Sequence, residues 1–126
     1  MRVSVYYLWI ALAGASGTLL RFWLGGLIQK NYGGVFPWGT FAVNMLGCFI
    51  FGIIWSLTQR YLSISSEMRI ILLIGFMGAL TTFSSFIFET AQLINNAQWL
   101  LAVGNIALQN IVGLTFLALG IAPPLT

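Results

Sequence analysis

Apolar residues run through this chain in four long blocks, each near the roughly 20 residues a helix needs to cross a hydrocarbon core. The first covers about 5–28 and stops before the polar turn QKNYGG. The second runs from about Pro37, a residue suited to the first turn of a helix, to Thr58. The third covers about 69–94, and the fourth about 97–122, where Pro123 and Pro124 stop it. The connections between blocks are short. The pattern therefore predicts an all-α membrane protein, a single four-span domain over 1–126 folded as an up-and-down bundle, with no linker or additional soluble domain.

Composition narrows the class. Of 126 residues, 60% are apolar and 6% charged, against about a quarter charged in a soluble domain. So few charges cannot clothe a soluble surface. Five basic residues spread along the chain form no patch for nucleic acid. Cys48 is the one cysteine, which excludes an intramolecular disulfide, and without histidine it cannot complete a zinc site. The acids are Glu67, in a loop, and Glu89, in a span. Paired-carboxylate and Ser-His-Asp chemistry within the chain are thereby excluded, and no enzyme is expected. Met1-Arg2 and the following apolar run imitate a secretory signal with ALAGA as its cleavage site, but the run continues past that site.

Charge says little about orientation. Arg2, Arg60 and Arg69 fall on one side of a four-span bundle, and Lys30 with Arg21 on the other. Under the positive-inside rule so small a difference leaves two readings open, a weak fixed orientation and a dual topology with antiparallel pairing. Gly14, Gly17, Gly47, Gly52, Gly75 and Gly78 offer the small-residue faces by which helices approach in lipid. A bundle this small is expected to bury further faces by oligomerising.

Polar groups inside spans are costly, so each is a candidate for function. Arg21 lies roughly 13 Å from Lys30 at the helical rise; it either snorkels to the interface or faces a water-filled vestibule. Thr40, Asn44, Gly47 and Cys48 share one helix face by spacing, and Asn44 either glues helices or offers amide donors to an anion. The stretch GALTTFSSF, 78–86, puts weak helix formers at the centre of a span. Phe83 and Phe86, three residues apart, are either filler or ring edges turned toward an anion. Glu89 is either a structural carboxyl or part of a permeation path. Asn105 and Gln109 share a face of the fourth span, while Asn110 points elsewhere.

The segments ASGTLLRFWLG, GTFAVNMLGCFIFG and GFMGALTTFSSFIFE, in this order over nearly the whole chain, resemble the Fluc fluoride channels, also called CrcB proteins. The resemblance implies an antiparallel, dual-topology homodimer in the bacterial cytoplasmic (inner) membrane, with two pores that export fluoride passively and confer fluoride resistance. It implies that Phe83 and Phe86 are the pore phenylalanines, that Asn44 is the pore-lining amide and that Arg21 stands in the vestibule. It also implies a third helix broken at its centre, where the carbonyls of Gly78 and Thr81 hold a structural sodium ion. Thr82, Ser84 and Ser85 match the family's hydroxyl-rich run and Glu89 the acid after it. Cys48 stands where the family usually has Ser, and Ala79 where it commonly has Gly. A polar track on the fourth helix falls to Asn105 and Gln109, with Thr40 facing it from the second. Two alternatives stand beside this reading: a small dual-topology multidrug or cation exporter, whose chemistry needs an acid in the first span that this chain lacks, and a non-transporting assembly subunit.

Overall fold

The computed structural model describes residues 2–61 and 63–122; the proline pair expected to stop the fourth span lies outside the described residues. Among the described residues all regular structure is helical and no strand occurs. Four helical stretches are long and apolar enough to cross a membrane: Val3–Tyr32, Trp38–Arg60, Ser66–Asn95 and Trp99–Ile121. We designate Val3–Tyr32 α1 and Trp38–Arg60 α2. The third span comprises α3 (Ser66–Ile70), a π-helical turn (Ile71–Met77), α4 (Gly78–Leu80) and α5 (Phe83–Asn95). The fourth is α6 (Trp99–Ile121).

α1 extends beyond the apolar block into the polar sequence QKNY, and Gly25 with Gly26 does not end it. Polar side chains in a last turn are free to reach water, so an apolar boundary marks the hydrocarbon edge and not the helix end. Gly33, at φ 41°, stops the helix, and its N–H bonds to the Gln29 carbonyl. Gln29 then closes the hairpin. Its Nε2 donates to the Phe36 carbonyl at 3.1 Å, and its Oε1 accepts from the Gly39 N–H at 3.0 Å. That second bond satisfies one of the bare donors in the first turn of α2.

Close backbone approach holds the spans together, as expected where lipid gives no hydrophobic drive to pairing. α2 packs most extensively on α6. A Cβ on Gly52 would lie 2.6 Å from the Leu117 carbonyl oxygen, so only glycine permits this crossing. α1 packs on the third span, where a Cβ on Gly17 would collide with the Phe76 carbonyl. Leu73, Met77 and Leu80 form the buried core cluster beside it. Burial is otherwise inverted relative to a soluble domain. Asn44, Thr58, Thr90 and Asn105 are buried, while Phe22 and Leu100 stand 80% and 85% exposed. With four apolar spans, this identifies a multi-pass membrane protein.

The third span starts at Ser65, whose hydroxyl accepts from the Met68 N–H at 3.1 Å, a normal N-cap. The π turn follows, with the Gly78 N–H reaching five residues back to the Leu73 carbonyl. At the other end α5 closes in a Schellman arrangement. The Gln98 N–H bonds to the Leu93 carbonyl at 2.8 Å and the Ala97 N–H to the Ile94 carbonyl at 3.0 Å. This puts Ala97 in the left-handed region at φ 58°, where an L-residue with a Cβ costs about 1 kcal/mol relative to glycine. Ala97→Gly is therefore expected to stabilise the folded protein by up to about 1 kcal/mol. A thermal unfolding curve in detergent would register this as a higher midpoint, and an unchanged or lower one would refute the assignment.

Candidate functional site

Between α4 and α5 the chain is not helical. Thr81 (φ −91°, ψ 157°) and Thr82 (φ −146°, ψ 117°) are extended. The sequence supports such a junction, because β-branched and hydroxyl residues are poor helix formers and bond readily to nearby backbone. Thr81 turns its hydroxyl back to the Met77 carbonyl at 3.1 Å, which also accepts the Thr81 N–H. Thr82 is the N-cap of α5, its Oγ1 accepting from the Ser85 N–H at 3.2 Å and donating to Ser85 Oγ at 3.1 Å.

An extended residue within a span bares its backbone N–H and C=O, and each must find a partner. Asn44 of α2 supplies both for Thr82. Its Oδ1 accepts from the Thr82 N–H at 2.8 Å, and its Nδ2 donates to the Thr82 carbonyl at 3.2 Å. The same Nδ2 donates to Gln109 Oε1 of α6 at 3.1 Å. From the opposite side Arg21 Nε of α1 donates to the Ala79 carbonyl at 3.0 Å. Arg21 thus reaches into the interior and does not snorkel away from it.

Thr82 stands between two cavities. The larger, about 540 Å³, is lined by Arg21, Gln29, Thr40, Thr82, Ser85 and Glu89 among others. Within it the Thr40 hydroxyl donates to Glu89 Oε1 at 2.5 Å. The smaller, about 390 Å³, is lined by Asn44, Cys48, Thr81, Thr82, Phe83, Phe86 and Gln109 among others. The Phe83 and Phe86 rings stand 5.7 Å apart, centroid to centroid, with planes at 67°, an edge-to-face arrangement. Phe86 is buried at 7% exposure and Phe83 is 73% exposed. The pair therefore runs from the interior to the surface.

The candidates read from the sequence divide across this junction. Asn44, Thr82, Phe83, Phe86 and Gln109 come together at the smaller cavity, and Arg21, Thr40 and Glu89 at the larger. Thr40 and Asn44 belong to one helix face but open on different sides. Asn105 lines neither cavity. It is fully buried and donates to the Thr90 hydroxyl at 2.9 Å, which bonds in turn to the Phe86 carbonyl; its place is behind the aromatic pair. Ser84 is exposed and lines neither cavity. Gln29 was not legible as a site residue, since nothing in the hydropathy pattern marks a polar residue at a span's end as part of a cavity wall.

Removing Asn44 has a calculable consequence. Asn44→Leu keeps the branching and heavy-atom count of the side chain and leaves both polar backbone groups of Thr82 bare, at about 1–3 kcal/mol for each buried group. The variant is expected to melt well below the parent. Asn110→Leu, which loses only a bond to the Ile106 carbonyl of its own helix on an exposed face, is expected to change little. Equal melting points for the two variants would show that the Asn44 bonds carry no stability.

Comparison with known proteins places the sequence in a family. Residues 8–121 match the family described as "CrcB-like protein, Camphor Resistance (CrcB)". A protein of Nitrosococcus oceani named "Fluoride-specific ion channel FluC" is 54% identical over 112 residues, covering 89% of this chain and 90% of the relative. Proteins of the same name from Solidesulfovibrio magneticus and Desulforapulum autotrophicum are 49% and 45% identical, covering 90% and 91% of this chain and 90% and 92% of the relatives. A match spanning every helix and both cavities, at this identity, shows that the chain belongs to the CrcB family.

Proposed function

We propose that the protein is a fluoride-selective channel that passes fluoride down its gradient, without bond chemistry, out of the bacterial cytoplasm across the inner membrane. The observation that carries this reading is the smaller cavity, where amide side chains meet the edge-to-face pair Phe83 and Phe86 in relatives' company named for fluoride conduction. Fluoride is small and holds water tightly, so losing that water needs several donors at once, and channels replace hydration with protein dipoles. The positive ring edges of phenylalanine add to those donors. Arg21 in the larger cavity gives a mouth that attracts anions. Phe83 and Phe86 form the aromatic wall. Thr82, Asn44 and Gln109 form the polar partition, while Thr40 and Glu89 lie on the vestibule side. Ser84 and Asn105 contribute less directly, Ser84 at the exposed surface and Asn105 by bracing Thr90.

Two copies pair antiparallel in this reading, giving two pores, with a structural sodium ion at the centre. Gly78 and Thr81 fit such an ion. Among the described residues no hydrogen bond reaches either carbonyl oxygen, and a hard cation takes oxygen ligands. When bound, the cation supplies the positive charge that those bare carbonyls lack. Two carbonyls from one chain are too few for a coordination shell, which favours a second copy contributing its own.

Purified protein in liposomes should release trapped fluoride to a fluoride-selective electrode far faster than empty liposomes. Phe83→Ile and Phe86→Ile should each slow that release at least about tenfold, as expected when an interaction with a dehydrated ion is lost. Release no faster than from empty liposomes would sink the channel reading, and full activity in both phenylalanine variants would favour a non-transporting subunit. The sodium and pairing proposals are tested apart from conduction. Exchanging sodium for a larger monovalent cation should shift the protein from dimer toward monomer in size-exclusion light scattering. A C-terminal tag should be reachable from both sides of the membrane, and a one-sided result would remove the antiparallel arrangement.

A further inference from the structure

Arg69, at the start of the third span, lies over the ring of Trp55 on α2, its guanidinium carbon 5.6 Å from the ring centroid. That is cation–π distance. A basic side chain at a span's end ordinarily lifts its charged head into water. Arg69 does not: its Nε is buried and has no hydrogen-bond partner among the described residues. Glu67 stands two positions away, a spacing at which helical side chains do not face each other. A buried N–H without an acceptor is rare and costly, which calls for an acceptor from outside the chain.

The surroundings narrow its chemistry. Trp55 precedes the end of α2 by five residues, about 7.5 Å along the axis, a depth suited to the aromatic belt at a membrane interface. Met68 and Ile70, on either side of Arg69 in sequence, are exposed apolar side chains, as is Trp55. A free anion gains nothing from such flanks, whereas a phospholipid brings acyl chains to them together with its phosphate. Gln59 follows Trp55 by one helical turn and Ser66 precedes Arg69 by one, both exposed. Their amide and hydroxyl suit the hydroxyls of a lipid headgroup. Charge selects among lipids. Arg2 stands at the start of α1, Arg60 at the end of α2 and Arg69 at the start of the third span, so one end of the bundle gathers these arginines against Glu67. Such an end attracts anionic lipid.

We propose that Arg69, held on Trp55, binds the phosphate of an anionic phospholipid, with Gln59 and Ser66 beside it for the headgroup's hydroxyls. The guanidinium fork takes a phosphate through two parallel N–H···O bonds, which an ammonium does not. Stacking on the indole fixes the head beforehand, so less side-chain freedom is lost on binding. The lipid thereby ties the end of α2 to the start of the third span, the span that carries the Thr81–Thr82 junction. Neither Arg69 nor Trp55 lines the two cavities, so the site does not depend on which ion the protein passes.

The test titrates the purified full-length protein in detergent with phosphatidylglycerol, or with phosphatidylcholine of the same acyl chains, and counts bound lipid by native mass spectrometry. The parent should bind phosphatidylglycerol more tightly than phosphatidylcholine. Arg69→Gln should weaken phosphatidylglycerol binding about tenfold, the worth of one hydrogen bond to a charged group. Arg69→Lys, which keeps the charge without the fork, should restore only part of that loss, and Lys30→Gln, at the other end of the bundle, should lose nothing. Trp55→Leu leaves Arg69 in place but removes its platform, and should also weaken binding; it carries the test if Arg69→Gln does not fold. Inorganic phosphate at equal concentration should leave bound phosphatidylglycerol in place. Equal binding of the two lipids by the parent, or full binding in both Arg69→Gln and Trp55→Leu, overturns the proposal. So does full recovery in Arg69→Lys, an equal loss in Lys30→Gln, or displacement of the lipid by inorganic phosphate.

Discussion

The Thr81–Thr82 junction depends on one side chain. In hydrocarbon a bare backbone N–H or C=O costs several kcal/mol, and an extended residue inside a span bares both. A carboxamide carries its donor and acceptor on separate atoms, so it can meet the N–H and C=O of one residue side by side. Asn44 does this for Thr82. A hydroxyl would have to serve both groups through a single oxygen, and an aliphatic side chain would serve neither. Of the other groups at the break, the Ala79 carbonyl is met by Arg21, while among the described residues no hydrogen bond reaches the Gly78 and Thr81 carbonyls.

Reaching the junction requires the flanking helices to come unusually close, and glycine supplies that on both sides. On α1, Gly17 lies against the backbone of Phe76 and Leu80; a Cβ there would be 3.1 Å from the Leu80 nitrogen. One turn on, at i+4, Arg21 reaches Ala79. On α2, Gly47 lies against Thr81, whose methyl occupies the space a Cβ would need. Three residues before it, on the same face, Asn44 reaches Thr82. Each helix thus pairs a glycine that permits approach with a polar side chain that exploits it. Enlarging either glycine would push away the hydrogen bonds as well as the backbone.

The sequence reveals this design unevenly. Four spans are legible because hydropathy and length act along the chain, and the polar residues within spans stand out for the same reason. Where helices end is less legible. Gln29, Lys30, Asn31 and Tyr32 look like a turn but stay helical, since helix geometry tolerates polar side chains once they leave the hydrocarbon. The π turn over Ile71–Met77 has no signature in ILLIGFM, which would serve equally in an α-helix. Nor does a left-handed Ala97 announce itself, because the Schellman bonds force a conformation that its side chain disfavours. Asn44 and Gln109 are both visible as polar residues in spans. Their relation is not, because it passes through the backbone of Thr82, 38 residues from Asn44 in sequence.

Phe83 and Phe86 bring the fold and the proposed chemistry to the same requirement. Phe86 is packed inside while Phe83 is largely bare, and both line a cavity whose other walls carry Asn44, Gln109 and Thr81. An exposed phenylalanine alone is unremarkable in lipid. A cavity bearing amide groups that opens beside it is different, because hydrocarbon cannot satisfy those groups. Some further polar or packed surface must close the open side. Lipid tails cannot do so, and the four spans of one chain are already used around the junction. A second copy of the same chain would bring the same combination of exposed ring and bare carbonyls, Gly78 and Thr81 among them. The unsatisfied edge of one subunit would then be met by the unsatisfied edge of the other. In the proposed reading, pairing would close the open side of this polar cavity, so the side chains that face the ion would stand beside those that meet the second copy.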